Sequence, residues 1–479
     1  MNDIPTAISD KVAAVCPENA SSDVFSFTKD CKTPPAERCT SNAKPVLKDA
    51  ADEKFLDLIE HAHFNYFVDQ SDPNTGLTKD RSADYSPASV AAVGFSLTTY
   101  PIAAERGWVS RAEAADYSLK VLRTLWNVPQ GEDATGENGS HGFFYHFLDP
   151  KTGTRMWNSE VSTIDTALLM SGVLFVKDYF NGTSKEETEI RDLADKLYKR
   201  VDWPWMLNSQ KRLSNGWTPE DGFTKWDWQG YNEAMILHIL GLGSPTHPLP
   251  PDVWKTFTST EKVRTYGGQT YIDFPPQFGH QYSHSWVDFR GIMDAKNKSL
   301  GFDYFENSRR ATLAQNYYGI INPNGFRSYS NLDWGWTASD GPGSTFDRQT
   351  ATGAPLKFRG YSDRGAPDYI DDGTIAPTAV AASIAFAPDV VLKTLKYWST
   401  LRPELWSNDG FKDAFNPTAV PKLHSGWIDP DLIGIDQGPV VLMTENYRTG
   451  LVWNTMKNDK YLVQGLKKAG FTGSWLDCR

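Results

Sequence analysis

Residues 162–180 read STIDTALLMSGVLFVKDYF, and residues 184–201, after three intervening residues, read SKEETEIRDLADKLYKRV. The first stretch is apolar on nearly every face of a helix, which requires burial on all sides. The second opens with a capping box, Ser184 and Glu187, and is otherwise polar, as an outer helix must be. An inner helix followed by an outer one predicts a helical hairpin, and such hairpins bury their inner members when arranged in a ring.

The same signals recur outward from this pair. Phe55, Leu56, Ile59, Ala62, Tyr66 and Phe67 form a stripe at helical spacing. Ser110 and Glu113 form another capping box, with Val109 placed as a staple, ahead of Tyr117, Val121, Leu122 and Leu125. Helices are predicted at 232–240, 305–318, 378–386, 388–401, 436–456 and 459–469, the last stopped by Gly470. Alternating strand patterns are rare and short. The expected fold is therefore all-α, an α/α barrel over residues 49–479, preceded by an irregular arm at 1–48 rich in Pro, Ser, Thr and Cys.

Composition narrows the function. The 479 residues carry a net charge of −11, which argues against a general nucleic-acid binder. Mean hydropathy is −0.48, and no run approaches the ~18 apolar residues of a membrane span. Aromatic residues make up 13% of the chain, with 17 tryptophans. Flat indoles and phenols match the apolar faces of sugar rings, so the excess leans toward carbohydrate, although any single tryptophan can equally be core. Cys16, Cys31 and Cys39 stand near one terminus and Cys478 near the other. That distribution suits disulfides pinning the ends in an oxidising compartment, hence a secreted or periplasmic protein; the alternative is four free thiols in a cytosolic protein. Asn19, Asn138, Asn181 and Asn297 each begin a glycosylation sequon.

Chemistry concentrates in the long connections. WDWQGYNE at 226–233 places Glu233 in the first turn of an apolar helix, beside Trp226, Trp228, Tyr231 and Asn232. The helix dipole would lower its pKa, whereas desolvation among the aromatics would raise it, and a glycosidase acid requires the second effect to win. Asp165 is a lone carboxylate in an apolar helix, so it either caps locally, pairs, or faces a cavity. GHQYSHSWVDFRG at 279–291 holds Tyr282, His284, Trp286, Asp288 and Arg290. His280 and His284 are four apart, but no third ligand is evident, so hydrogen bonds to sugar hydroxyls or an Asp288–Arg290 pair are expected rather than a metal. NLDWGWTASDGPG at 331–343 offers Trp334, Trp336 and Asp340. Asp371, Asp436 and Glu445 complete the carboxylates, each open to a capping or ion-pair role as well. No nucleophile elbow, P-loop or dinucleotide fingerprint is present. Several carboxylates amid aromatics, with no cofactor, is the inventory of glycosidic bond cleavage.

Four segments resemble a known family. They are GYNEAMILHILGLGSPTHP at 230–248, YFENSRRAT at 304–312, WGWTASDGP at 334–342 and IDQGPVVLMTENYRTG at 435–450. They are similar to the bacterial glucoamylase-like glycoside hydrolases, which include endo-β-1,2-glucanases and are related to the processing domain of cyclic β-1,2-glucan synthases. The resemblance runs from about Phe55 to Trp453. It implies an (α/α)6 barrel, a six-hairpin toroid. It also implies Glu233 as general acid and Asp165 as an acid on the neighbouring inner helix. The family's further acids, one and two turns upstream of Asp165, are Ser162 and Asn158 here.

The expectation is a monomeric hydrolase of a glucan, most simply β-1,2-linked. Glu233 is its proton donor. Asp165, Asp371, Asp436 and Glu445 are candidates for base, nucleophile or sugar positioning. Trp226, Trp228, Tyr231, Asn232, Tyr282, His284, Trp286, Asp288, Arg290, Trp334, Trp336 and Asp340 are candidates for substrate binding. The alternatives are a transglycosylase or exo-acting enzyme on the same scaffold, a polysaccharide lyase, and a non-catalytic glycan-binding protein.

Overall fold

Fifteen α-helices and a set of two- to four-residue strands make up the described part of the chain in the computed structural model, which covers residues 50–349, 353 and 355–479. The expected arm at 1–48, with Cys16, Cys31 and Cys39, lies outside the described residues.

Burial sorts the helices into two kinds. α1 (Ala50–Asp69), α3 (Arg111–Asn127), α5 (Lys185–Arg200), α10 (Tyr304–Ile321) and α12 (Pro388–Leu401) bury one side only. Alternating with them are α2 (Val90–Arg106), α4 (Thr163–Tyr179), α6 (Met235–Gly243), α8 (Tyr282–Trp286), α11 (Pro377–Ala381) and α13 (Gly434–Arg448), buried on nearly every face. Short α7 (Val253–Thr258) precedes α8, and α9 (Ala295–Leu300) follows it. α14 (Leu451–Met456) and α15 (Lys460–Lys468) close the chain, with α15 covering α6.

The buried helices form the inner ring of an (α/α)6 barrel. α2 and α4 meet backbone to backbone, because a Cβ on Gly172 would lie 2.1 Å from the Gly94 carbonyl oxygen. α4 packs on α6. The Ser283 hydroxyl accepts from the Ile236 N–H at 3.0 Å, joining α6 to α8. Gln281, at the start of α8, donates to the Ala379 carbonyl of α11 at 3.0 Å. Thr378 of α11 donates to the Asp436 carbonyl of α13 at 3.0 Å, and α13 returns to α2. These bonds satisfy polar groups that burial would otherwise strand.

The expected hairpin at 162–201 forms as α4 and α5. Ser184 accepts from the Glu187 N–H, but the Glu187 carboxylate accepts from the Gly182 N–H instead of that of Ser184, so the expected box is half made. Ser162, not expected as a cap, accepts from the Asp165 N–H. The Ser110–Glu113 capping box is complete. Other expectations need correction. α6 begins at Met235, leaving Glu233 in the turn before it. The long helix expected at 436–456 is two, parted at Gly450, whose φ of 72° ends α13 and starts α14. The helix expected at 378–386 keeps helical geometry only as α11. α2 and α8 gave no clear signal in the sequence; α2 contains Pro101, and α8 is only one turn within a segment that reads as loop. Asn138 and Asn297 are fully buried, so these two sequons cannot carry glycans on the folded chain. No helix among the described residues is long and apolar enough to cross a membrane.

Candidate active site

Because outer and inner helices alternate, all six inner helices start at one end of the barrel. The loops that enter them are tied together there. The Gly434 N–H donates to the Asp80 carbonyl at 2.7 Å, and the Val90 N–H donates to the His146 carbonyl at 3.2 Å. The Trp228 indole donates to Thr163 Oγ1 at 2.9 Å. The resulting end face is acidic.

Asp165 sits at the third position of α4 and is 6% exposed. Ser162 Oγ donates to its Oδ2 at 2.5 Å, and His146 Nε2 stands 3.8 Å from the same oxygen. His146 Nδ1 lies 3.0 Å from Glu160 Oε1. Burial works against the imidazolium, but Asp165, Glu160 and Asp80 around it prevail and push it up to about 9. It is therefore a cation at neutral pH.

Glu233 faces the same space. Its carboxyl is buried, and Oε2 has no hydrogen-bond partner. Desolvation raises its pKa to about 7; a bond to its own backbone N–H opposes this, and the charge of Asp165 adds to it. Of the two opposed effects that the sequence allowed, desolvation prevails.

A third group of acids completes the end face. Asp436, at the third position of α13, is pushed up to about 7 by burial, against a bond with Asp413 and with help from Asp80 and Asp340. Asp413 is held well above the usual carboxylate range by burial and by Asp436. Arg81 is the cation here. Its Nη1 donates to Asp340 Oδ2 at 2.8 Å and lies 3.4 Å from Asp431 Oδ2, and its Nε is 3.6 Å from Asp80. Asp340, Asp413 and Asp429 each bring one oxygen within 4.8 Å of the other two, so this trio is the cluster among the described residues that could hold a cation. Two of its oxygens are already engaged: Asp340 Oδ2 accepts from Arg81, and Asp413 Oδ2 accepts from the Asp340 N–H at 2.6 Å. Tyr282 is close enough to feel the charges of Asp436, Glu233 and Asp165.

The structure thus gathers Glu233, Asp165, Asp436, Asp340 and Tyr282 at one end, with Trp228 bonded to Thr163, the first residue of α4. Asn232 is 7% exposed and shapes the turn, accepting from the Ala234 N–H at 3.0 Å. Tyr231 is buried behind it against His280. Trp226 is 78% exposed on the neighbouring hairpin.

Other expected residues lie elsewhere. Glu445 is near the opposite end of α13, gripped by Arg106 and Thr449. Asp288 pairs with Arg290 and Lys457 beyond the C-terminus of α8. Asp371, in the loop that enters α11 and so at the same end but to the side of the acidic cluster, accepts hydroxyl bonds from Tyr318 at 2.8 Å and Tyr329 at 2.6 Å and lines an outer hollow of about 890 Å³. Trp286, Trp334 and Trp336 are fully buried, donating to Thr98, Thr394 and Tyr329, so no sugar can stack on them. His284 is a core side chain bonded to Ser308, its pKa lowered to about 3 by burial. His280 uses one nitrogen on Tyr231 and the other on the Phe274 carbonyl.

Sequence reading missed Arg81, Asp80, His146 and Asp413. The available signal was modest: the run Lys79-Asp80-Arg81 precedes an apolar helix, much as Glu233 does.

The family model Glycoamylase, described as "Putative glucoamylase", matches residues 225–460. A Bacteroides uniformis structure carrying the same description superposes with a TM-score of 0.77 at 30% identity, covering 89% of this chain and 99% of that one. The endo-β-1,2-glucanase of Chitinophaga pinensis, solved with sophorotriose and glucose, superposes with a TM-score of 0.76 at 25% identity, covering 88% of this chain and 99% of that one. An exo-β-1,2-glucooligosaccharide sophorohydrolase of Parabacteroides distasonis is 27% identical over 447 residues, 87% of this chain. The chain spans 58% of the length of that relative. The chain belongs to the glucoamylase-like family of (α/α)6-barrel proteins.

Proposed function

We propose that this protein is a glycoside hydrolase acting on β-1,2-linked glucan or its oligosaccharides. The observation that carries the reading is Glu233: a buried carboxyl with an unpartnered oxygen, raised to about 7, facing Asp165 across the acidic end of the barrel. A carboxyl that keeps its proton near neutrality in a desolvated pit is suited to protonating a leaving glycosidic oxygen. Asp165, on the neighbouring α4, and Asp436, on α13 across the ring, are the carboxylates that can activate water or attack the sugar carbon. The positive charge of His146 stands beside Asp165, and Arg81 binds Asp340, Asp431 and Asp80 around Asp436. Asp340 and Tyr282 supply hydroxyl contacts, and Trp228 supplies an aromatic flank.

The linkage is supported by the named relatives, two of which act on β-1,2-glucans by name, one in endo and one in exo fashion. Secretion, with the terminal cysteines disulfide-bonded, is supported by the cysteine distribution. The test is incubation of the purified protein with defined glucans, separating products by chromatography. β-1,2-Glucan should be shortened, and Glu233→Gln should abolish turnover while still binding the sugar. Undiminished hydrolysis by that variant would refute the assignment, and intact β-1,2-glucan with the unaltered protein would refute the substrate. Product length separates endo from exo action.

A further inference from the structure

Trp157 is 57% exposed, and its backbone sits in the left-handed region at φ 54°. A bulky residue is a true outlier there and stays only where its surroundings impose it. The surroundings do so. The Met156 N–H donates to the Phe147 carbonyl at 2.9 Å, and Ser159 Oγ donates to the same carbonyl at 3.2 Å. Arg155 Nε donates to the Ser159 carbonyl at 2.8 Å, while its two terminal nitrogens grip Glu220 at 2.8 and 3.0 Å. The loop is therefore rigid, and it holds an apolar ring out into solvent.

From that ring an aromatic path leads inward. Trp157 meets Phe147 edge-on, with centroids 5.5 Å apart and planes at 70°. Phe147 stacks on His146 at 3.9 Å and 16°. His146 in turn bonds Glu160 and faces Asp165. Two rings at a steep angle form a corner beside a half-exposed carboxylate, Glu160. A pyranose can lay its C–H face on the indole, its edge on the phenyl ring, and its hydroxyls toward the carboxylate.

We propose that Trp157 and Phe147 form a sugar-stacking subsite, away from the reacting bond, that holds one further glucose unit and so sets the preferred chain length. This rests on the glucan-hydrolase reading. The experiment compares Trp157→Gly and Trp157→Phe with the unaltered enzyme on a size series of β-1,2-glucooligosaccharides. Glycine removes the ring and tolerates the left-handed backbone, so the variant keeps its fold. For chains long enough to reach the corner, kcat/KM should fall about 3- to 10-fold, mainly through KM. The shortest substrate cleaved should be unaffected, and the phenylalanine variant should recover part of the loss. Equal loss at every length, or no loss at any, overturns the subsite while leaving the hydrolase reading intact. Absence of cleavage by the unaltered enzyme ends both.

Discussion

Glu233 shows how one side chain is tuned by position rather than by type. The turn before α6 would favour its charged form, and burial beside Asp165 favours the neutral one; burial is the larger effect. Two consequences can be measured. As an acid catalyst it must be protonated, so kcat/KM should decline as pH rises through about 7. The stability consequence has the same direction. A carboxyl whose folded pKa lies above its unfolded value of about 4.5 contributes fully below pH 4.5, and that contribution disappears as pH climbs through 7. The loss is about 3 kcal/mol for Glu233 alone. Glu233→Gln should therefore raise the melting temperature at pH 8 and leave it nearly unchanged at pH 4. A variant with the wild-type profile at both pH values would show that the carboxyl is not desolvated.

At the scale of helices, the inner ring depends on close backbone approach. Gly94 and Gly172 let α2 and α4 touch, since a Cβ on Gly94 would lie 2.4 Å from the Leu168 carbonyl oxygen. Backbone at that distance cannot yield as a flexible side chain would. Gly172→Ala should force the two helices apart and cost about 1–3 kcal/mol in chemical denaturation, despite alanine's better helix propensity. A neutral or stabilising result would mean that the helices have room to spare. The same separation shifts the start of α4, which carries Asp165, so loss of activity is expected to accompany loss of stability.

Across the whole molecule the two ends of the barrel divide their tasks. The end where inner helices begin collects acids without enough partners, and their pKa values move upward. The opposite end gathers its acids around two arginines: Arg448 bonds Glu53, Asp57 and the buried Glu60, and Arg106 bonds Glu445, while burial and the charge of Glu445 still push Glu60 well above the usual carboxylate range. Arg448→Met should leave Glu60 buried without its cation, at a cost of about 3–5 kcal/mol in unfolding free energy. KM for glucan should not change, because this network lies a helix length from Glu233. A large change in KM would contradict the division.

The legible part of the molecule was whatever depends on local pattern. Apolar-all-round against one-sided helices, the caps at Ser110 and Ser184, and the stop at Gly470 follow from period and hydrogen-bonding chemistry within a few residues. Glu233 and Asp165 stood out for a related reason, each being a carboxylate in an apolar neighbourhood. The ring's direction was invisible. Asp436 and Glu445 lie on one helix, Trp228 and Trp334 in comparable aromatic runs, and only the packing of six helices decides which member of each pair faces the acidic end and which is core or counter-ion. Arg81, His146 and Asp413 reach the site from loops distant in sequence, and no local period reports on such neighbours. Local free energies are set by adjacent residues, whereas charge, burial and proton affinity are set by everything that folding brings near.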